Sequence, residues 1–230
     1  MKLKRNKLMH KKLTEIEKHP KQDFQVERIA FFSDAVFAIA ITLLVIDFKF
    51  PHISKESTFE SVCTDLLALR SHFVALLLSF VLIATYWMQH HFLFKHLHNY
   101  NNRMIIANIF VLLPIVFFPF TTAFLAESSE NENVIVLPLR VFLINNFFAG
   151  FLIYYFYWLI FKKYKGMTYE ITPREKFKFN MENLFKTSML LIIFILILFT
   201  SQIKIIFVVT LILFGLMKLL NIYGEKKNYG

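Results

Sequence analysis

The sequence predicts an all-α integral membrane protein with six transmembrane helices per subunit and both termini in the cytoplasm. Three observations lead there. Of the 230 residues, 57% are hydrophobic, with 29 Phe against 5 Gly, and the mean hydropathy is +0.52; soluble domains are about 45–50% apolar. Apolar runs of about 20 residues, the length that crosses a hydrocarbon core of about 30 Å, recur along the chain. Lys and Arg gather between these runs in the pattern of the positive-inside rule.

The elements follow in order. A basic tail over 1–24 holds Lys2, Lys4, Arg5, Lys7, Lys11, Lys12, Lys18 and Lys21. It has no small-residue cleavage site beside a short apolar core, so the first apolar run reads as a retained helix and not a signal peptide. The transmembrane domain occupies 25–222, with spans at about 27–48, 70–94, 103–126, 134–161, 183–201 and 203–222. The fourth is long enough to tilt, and Tyr154, Tyr155, Tyr157 and Trp158 suit an aromatic belt near its end. The loop after the third span carries Glu127, Glu130 and Glu132 without a base, which suits the outer side. Lys162, Lys163, Lys165, Arg174, Lys176 and Lys178 in the 162–182 linker belong inside, as do Lys226 and Lys227 in the 223–230 tail.

Composition also bounds the partners. The net charge of +10 sits in juxtamembrane tails, which favours attraction to anionic lipid over nucleic-acid binding. Cys63 is the single cysteine, so no internal disulfide and no thiolate metal site are expected. No cofactor and no enzyme activity are expected either: there is no G-x-S-x-G, H-E-x-x-H or P-loop, and no pair of intramembrane acids for acid–base work. His90, His91, His96 and His98 invite a zinc reading, but their spacing matches no closed site.

The first span carries Arg28 at its entrance and Asp34 about two turns inside. A charged side chain at mid-membrane costs roughly 2.5–3.5 kcal/mol on insertion scales, so such an acid usually faces protein or water. At about 100° per residue, Phe31, Ala35, Ile39, Thr42, Ile46 and Lys49 form one stripe, with Asp34 about a quarter turn away. That stripe suits close approach of several copies around an axis, or ordinary helix packing. Asp34 lies about 10 Å along the helix from Glu27. Trp87, His90, His91 and Asn108 fall at a similar depth on the next two spans and can donate hydrogen bonds. A buried polar cluster joining the first three spans is expected, either fixing helix register or, as the sharper alternative, relaying protons through Asp34 and the histidines. Asn145, Asn146, Pro114 and Pro119 fit packing as readily as a substrate site.

The string Arg28-x-x-x-Phe32-Ser33-Asp34, continuing through Ala35 to Thr42-Leu43-Leu44, resembles the first-helix signature of the endosomal and lysosomal potassium channels, the transmembrane protein 175 family, and their bacterial relatives. The strings YWMQHHFLF at 86–94 and NIFVLLPIVFFPFTTAFLAE at 108–127 are similar to that family as well. The resemblance implies a potassium-selective cation channel in a bacterial cell membrane, with K+ as the permeant ion. It implies a homotetramer whose first helices line the pore around a four-fold axis. Carried across by position, Ile39 is the constriction, Thr42 the hydroxyl layer, and Ala35, Ala38 and Ile46 line the remainder. Ala38 stands where relatives carry a hydroxyl. Arg28, Phe32, Ser33 and Asp34 then join Trp87, His90, His91 and Asn108 in an inter-helix network. The chain has no T-V-G-Y-G segment, so selection cannot use the usual rings of backbone carbonyls. A secondary transporter and a non-conducting membrane scaffold are the rival readings.

Overall fold

The computed structural model describes residues 20–46, 53–128, 134–177, 179–181, 192 and 212. The spans expected at 183–201 and 203–222 and both tails lie essentially outside the described residues, apart from isolated positions 192 and 212 and the start of α1 in the N-terminal tail. Among the described residues, five α-helices follow one another: α1 Pro20–Ile46, α2 Phe59–Ala68, α3 Arg70–Lys95, α4 Asn102–Glu127 and α5 Val136–Trp158. Four of them, α1, α3, α4 and α5, are long and apolar enough to cross a membrane. The chain is a multi-pass membrane protein, and every named element among its described residues is helical.

α1 starts at Pro20, inside the segment read from sequence as a tail. Proline suits a first helical turn because the N–H it lacks would have no partner there. α2 was not anticipated. It begins on a reciprocal cap, in which Thr58 Oγ1 accepts from the Ser61 N–H at 3.2 Å and Ser61 Oγ accepts from the Thr58 N–H at 3.0 Å. Leu69 closes α2 and opens α3 without a linker.

α1 and α4 run one way through the bundle, and α3 and α5 return. α4 lies against α1, α3 and α5. The core is a stack of Phe37, Ile83, Leu93, Val111, Ile115, Phe118, Ile153, Phe156 and Ile160, each almost wholly buried. Ala40, Ala107 and Ala149 sit within the packed region and let the helices approach closely. Leu77, Val81 and Met88 on α3 and Phe110, Leu113, Phe117 and Phe120 on α4 point outward, as a lipid-facing surface requires.

Pro114 and Pro119 are both buried within a continuous α4. Neighbouring side chains supply local polar contacts: Asn145 Nδ2 donates to the Pro114 carbonyl at 3.0 Å, and the Thr121 and Thr122 hydroxyls donate to that of Phe118.

At one end of the bundle the chain is tied to itself. α5 continues through a π-helical turn, Leu159–Lys163, and a 3-10 turn, Lys165–Met167. The segment beyond clasps the α3–α4 loop: the His98 and Asn99 N–H groups donate to the Met167 carbonyl, and the Tyr169 N–H donates to that of His96 at 2.9 Å. Tyr100 on the same loop reaches Gln25 at the start of α1 at 3.5 Å. A second reciprocal cap opens the helical turn at 173–177, where Glu175 accepts from both the hydroxyl and the N–H of Thr172.

Candidate functional site: the two faces of the first helix

α1 presents two unlike faces. Val26, Ser33, Phe37, Ala40 and Leu44 recur every three to seven positions and are buried against α3 and α4. Phe31, Ala35, Ala38, Ile39, Thr42 and Ile46 remain uncovered by the described residues, Ile39 at 58% and Ile46 at 71% exposure. Thr42 turns its hydroxyl hydrogen back onto the Ile39 carbonyl at 2.9 Å. Its oxygen therefore keeps its lone pairs available on the exposed side.

The buried face carries a directional chain of hydrogen bonds. Ser33 Oγ donates to the Ile29 carbonyl at 2.9 Å, Asn108 Nδ2 donates to Ser33 Oγ at 2.8 Å, and Asn108 Oδ1 meets His90 Nε2 at 2.7 Å. The direction follows from the far end. A carbonyl only accepts, so the Ser33 hydrogen is committed to Ile29 and its oxygen takes the Asn108 amide hydrogen. The Asn108 oxygen then faces His90, and His90 Nε2 must carry the hydrogen. The chain is satisfied and ends on backbone.

Asp34 belongs to a different group. Its Oδ1 accepts from Trp87 Nε1 at 2.8 Å near the bundle surface, and the Trp87 ring lies 5.6 Å from the His91 ring. Of the residues grouped by sequence, Ser33, Asn108 and His90 are thus joined inside the bundle, and Asp34, Trp87 and His91 outside it. Arg28 and Phe32 enter neither group. They line an open cavity of about 320 Å³ between the starts of α1 and α4, with Gln25, Ile29, Tyr100, Ile105, Asn108 and Ile109. The remaining histidines are scattered: His96 Nδ1 lies 2.8 Å from the Phe92 carbonyl and His98 packs on Tyr169. Among the described residues no three His, Cys, Asp or Glu side chains come together as a metal site would need.

Two further buried contacts escaped the sequence reading. Tyr86 Oη donates towards Asn146, 2.6 Å from its Oδ1, and the Ser79 and Thr122 hydroxyls meet at 2.7 Å. Isolated small hydroxyls and one amide within apolar runs were their visible signal.

Residues 28–119, which contain α1 from Arg28 on and every member of the Ser33–Asn108–His90 chain, match the family model of the endosomal/lysosomal potassium channel TMEM175. Over that stretch the chain is similar to the TMEM175 family. Among its relatives, a potassium channel of Chamaesiphon minutus is 41% identical over 100 residues, 44% of this chain and 49% of that protein. A potassium channel of Streptomyces collinus is 36% identical over 106 residues, 46% of this chain and 50% of that one. The endosomal/lysosomal proton channel TMEM175 of Danio rerio is 29% identical over 137 residues, 57% of this chain and 26% of that protein. In these alignments the chain spans about half the length of the bacterial TMEM175 relatives.

The fold extends the likeness. The crystal structure of a lysosomal potassium-selective channel TMEM175 homolog from Chamaesiphon minutus superposes with a TM-score of 0.64 at 24% identity, covering 84% of this chain and 98% of that one. A variant of the potassium channel MtTMEM175 superposes with a TM-score of 0.59 at 20% identity, covering 88% and 94%. At these identities the TMEM175 structures speak to fold alone.

Proposed function

We propose that this chain is the pore-forming subunit of a potassium-selective cation channel in a bacterial cell membrane. Four copies arrange α1 around a common axis, each with six spans and cytoplasmic termini. One observation carries the reading: α1 packs Ser33, Phe37, Ala40 and Leu44 into its own bundle and leaves Ala35, Ala38, Ile39, Thr42 and Ile46 uncovered by the described residues. A stripe with two alanines gives acyl chains little to pack on and allows several helices to approach closely. The names of the Chamaesiphon and Streptomyces relatives supply the ion.

In this reading Ile39 from each subunit forms the constriction, a hydrophobic ring that closes by dewetting. Thr42 lies one turn further along. Its hydrogen is committed to the Ile39 carbonyl, so its oxygen replaces part of the water that an ion gives up at the ring. Ala35, Ala38 and Ile46 line the wider parts. Because α1 is helical through Ile46, its carbonyls are engaged along the helix, and side chains must discriminate among ions.

The test is flux from liposomes containing the purified chain, driven by a K+ or a Na+ gradient. K+ efflux exceeds Na+ efflux, and Ile39→Ala raises total flux while lowering the ratio. Equal fluxes of the two ions, or an Ile39→Ala variant identical to the parent, would overturn the proposal. A secondary transporter, coupled to protons through Asp34, would instead give saturable, counter-ion-dependent flux. It has less support, since the His90 chain ends on the Ile29 carbonyl and does not touch Asp34. A non-conducting scaffold would give no flux at all.

A further inference from the structure

None of the side chains of α2 is buried by the described residues, and its exposed residues are not random. At roughly 100° per residue, Phe59, Val62, Cys63, Leu66 and Leu67 gather on about half of the circumference, and Glu60, Ser61, Thr64 and Asp65 fill the other half. Phe59 is 88% exposed, Leu67 69% and Leu66 40%. A ten-residue helix with so little tertiary support is marginal alone, yet the Thr58–Ser61 cap fixes its start.

Its position limits what can cover that face. α2 joins α3 through Leu69 alone. α3 opens on Arg70, Ser71 and His72 and is apolar from Phe73 on, so its first turn lies at the membrane boundary and carries α2 with it. Phe73, Val74 and Leu77 just beyond the joint are uncovered by the described residues as well, so apolar side chains open to lipid lie on both sides of it.

We infer that α2 is an in-plane membrane anchor, with Phe59, Leu66 and Leu67 among the acyl chains and Glu60, Thr64 and Asp65 towards water. Residues 59–68 contain two acids and no Lys or Arg. Anionic headgroups therefore do not hold this helix, and buried apolar area does. The partner is a lipid surface of any headgroup charge, on the side of the membrane opposite the α3–α4 loop.

The chain's single cysteine, Cys63, offers a test. A nitroxide on the unaltered Cys63, at the margin of the apolar arc, is examined with full-length protein in phosphatidylcholine liposomes. The same measurement is made on Leu67→Cys and on Thr64→Cys, each in a Cys63→Ser background. Collisions with oxygen exceed collisions with a water-soluble nickel chelate at 63 and 67, the order reverses at 64, and added phosphatidylglycerol leaves the ratios unchanged. Nickel dominance at 67 would place that face in water and overturn the inference. Shielding of 67 from both reagents would also overturn it, because protein, such as a second copy, would then cover the face. The native Cys63 reading keeps the test independent of how the variants fold.

Discussion

Ser33 and Asn108, 75 positions apart, are joined by a 2.8 Å hydrogen bond inside the bundle. Asn108 also accepts from His90, so one carboxamide links α1, α3 and α4. Asn108→Leu leaves Ser33 its bond to the Ile29 carbonyl and orphans His90 Nε2. An orphaned buried donor costs about 1–3 kcal/mol, more than the average of about 0.6 kcal/mol for an interhelical hydrogen bond in a membrane protein. The variant is therefore less stable by about 1–3 kcal/mol, measured as a lower melting temperature in detergent. An unchanged melting temperature would show that the chain contributes nothing to stability.

Asp34 acts through Trp87 as an acceptor, and Asp34→Asn keeps an oxygen to fill that role. Its flux remains within about two-fold of the parent and does not vary across the pH range in which histidine titrates. Trp87→Phe, which removes the donor, is the more damaging change and lowers the yield of folded protein. Loss of flux in Asp34→Asn with retained folding would restore an ionised carboxylate to the mechanism.

Thr42→Val preserves shape and removes the hydroxyl oxygen. An oxygen contact of about 1 kcal/mol corresponds to roughly a five-fold change in ion preference. The K+/Na+ flux ratio falls by that order, with total flux little altered. A ratio equal to that of the parent would take Thr42 out of selection.

Glu175, outside the spans, is held below the usual carboxylate range by hydrogen bonds from the Thr172 hydroxyl and N–H, with smaller help from the charges of His96 and Lys95. A depressed folded-state value means that the cap contributes fully above the unfolded carboxylate value and fades as pH falls through the folded one. Amide exchange over 172–177, corrected for its intrinsic rate, is steady above about pH 5 and accelerates in stronger acid. Glu175→Gln, which cannot ionise, shows no such transition. An acid transition that persists in the variant would have another source.

Much of the bundle is legible in the sequence, for a specific reason. A membrane demands some twenty apolar residues in a row, and α1, α3, α4 and α5 each advertise that demand. α2 is half that length, so a ruler set for spans passes over it, although the Thr58–Ser61 cap and the spacing of Phe59, Val62 and Leu66 are visible once sought. Depth is also legible: rise per residue sets Asp34, Trp87, His90 and Asn108 at one level. Angular position is not. Ser33 and Asp34 are adjacent, yet 100° of rotation sends one to Asn108 and the other to Trp87. Without the neighbours' axes the sequence reading merges two groups into one. The clasp of 96–101 on 164–171 was beyond reach for a similar reason, since backbone pairing of loops leaves no periodic mark.

That adjacency fixes more than two bonds. α1 is tethered from α4 through Ser33 and from α3 through Asp34, at bearings about 100° apart, so it has no free direction in which to roll. A single hydrogen bond would act as a hinge; two at successive residues act as a keyway. The heading of Ala35, Ile39 and Thr42 is then set by the two residues immediately before them. A single-residue insertion between Asp34 and Ala35 would leave both tethers engaged and turn that heading by about 100°.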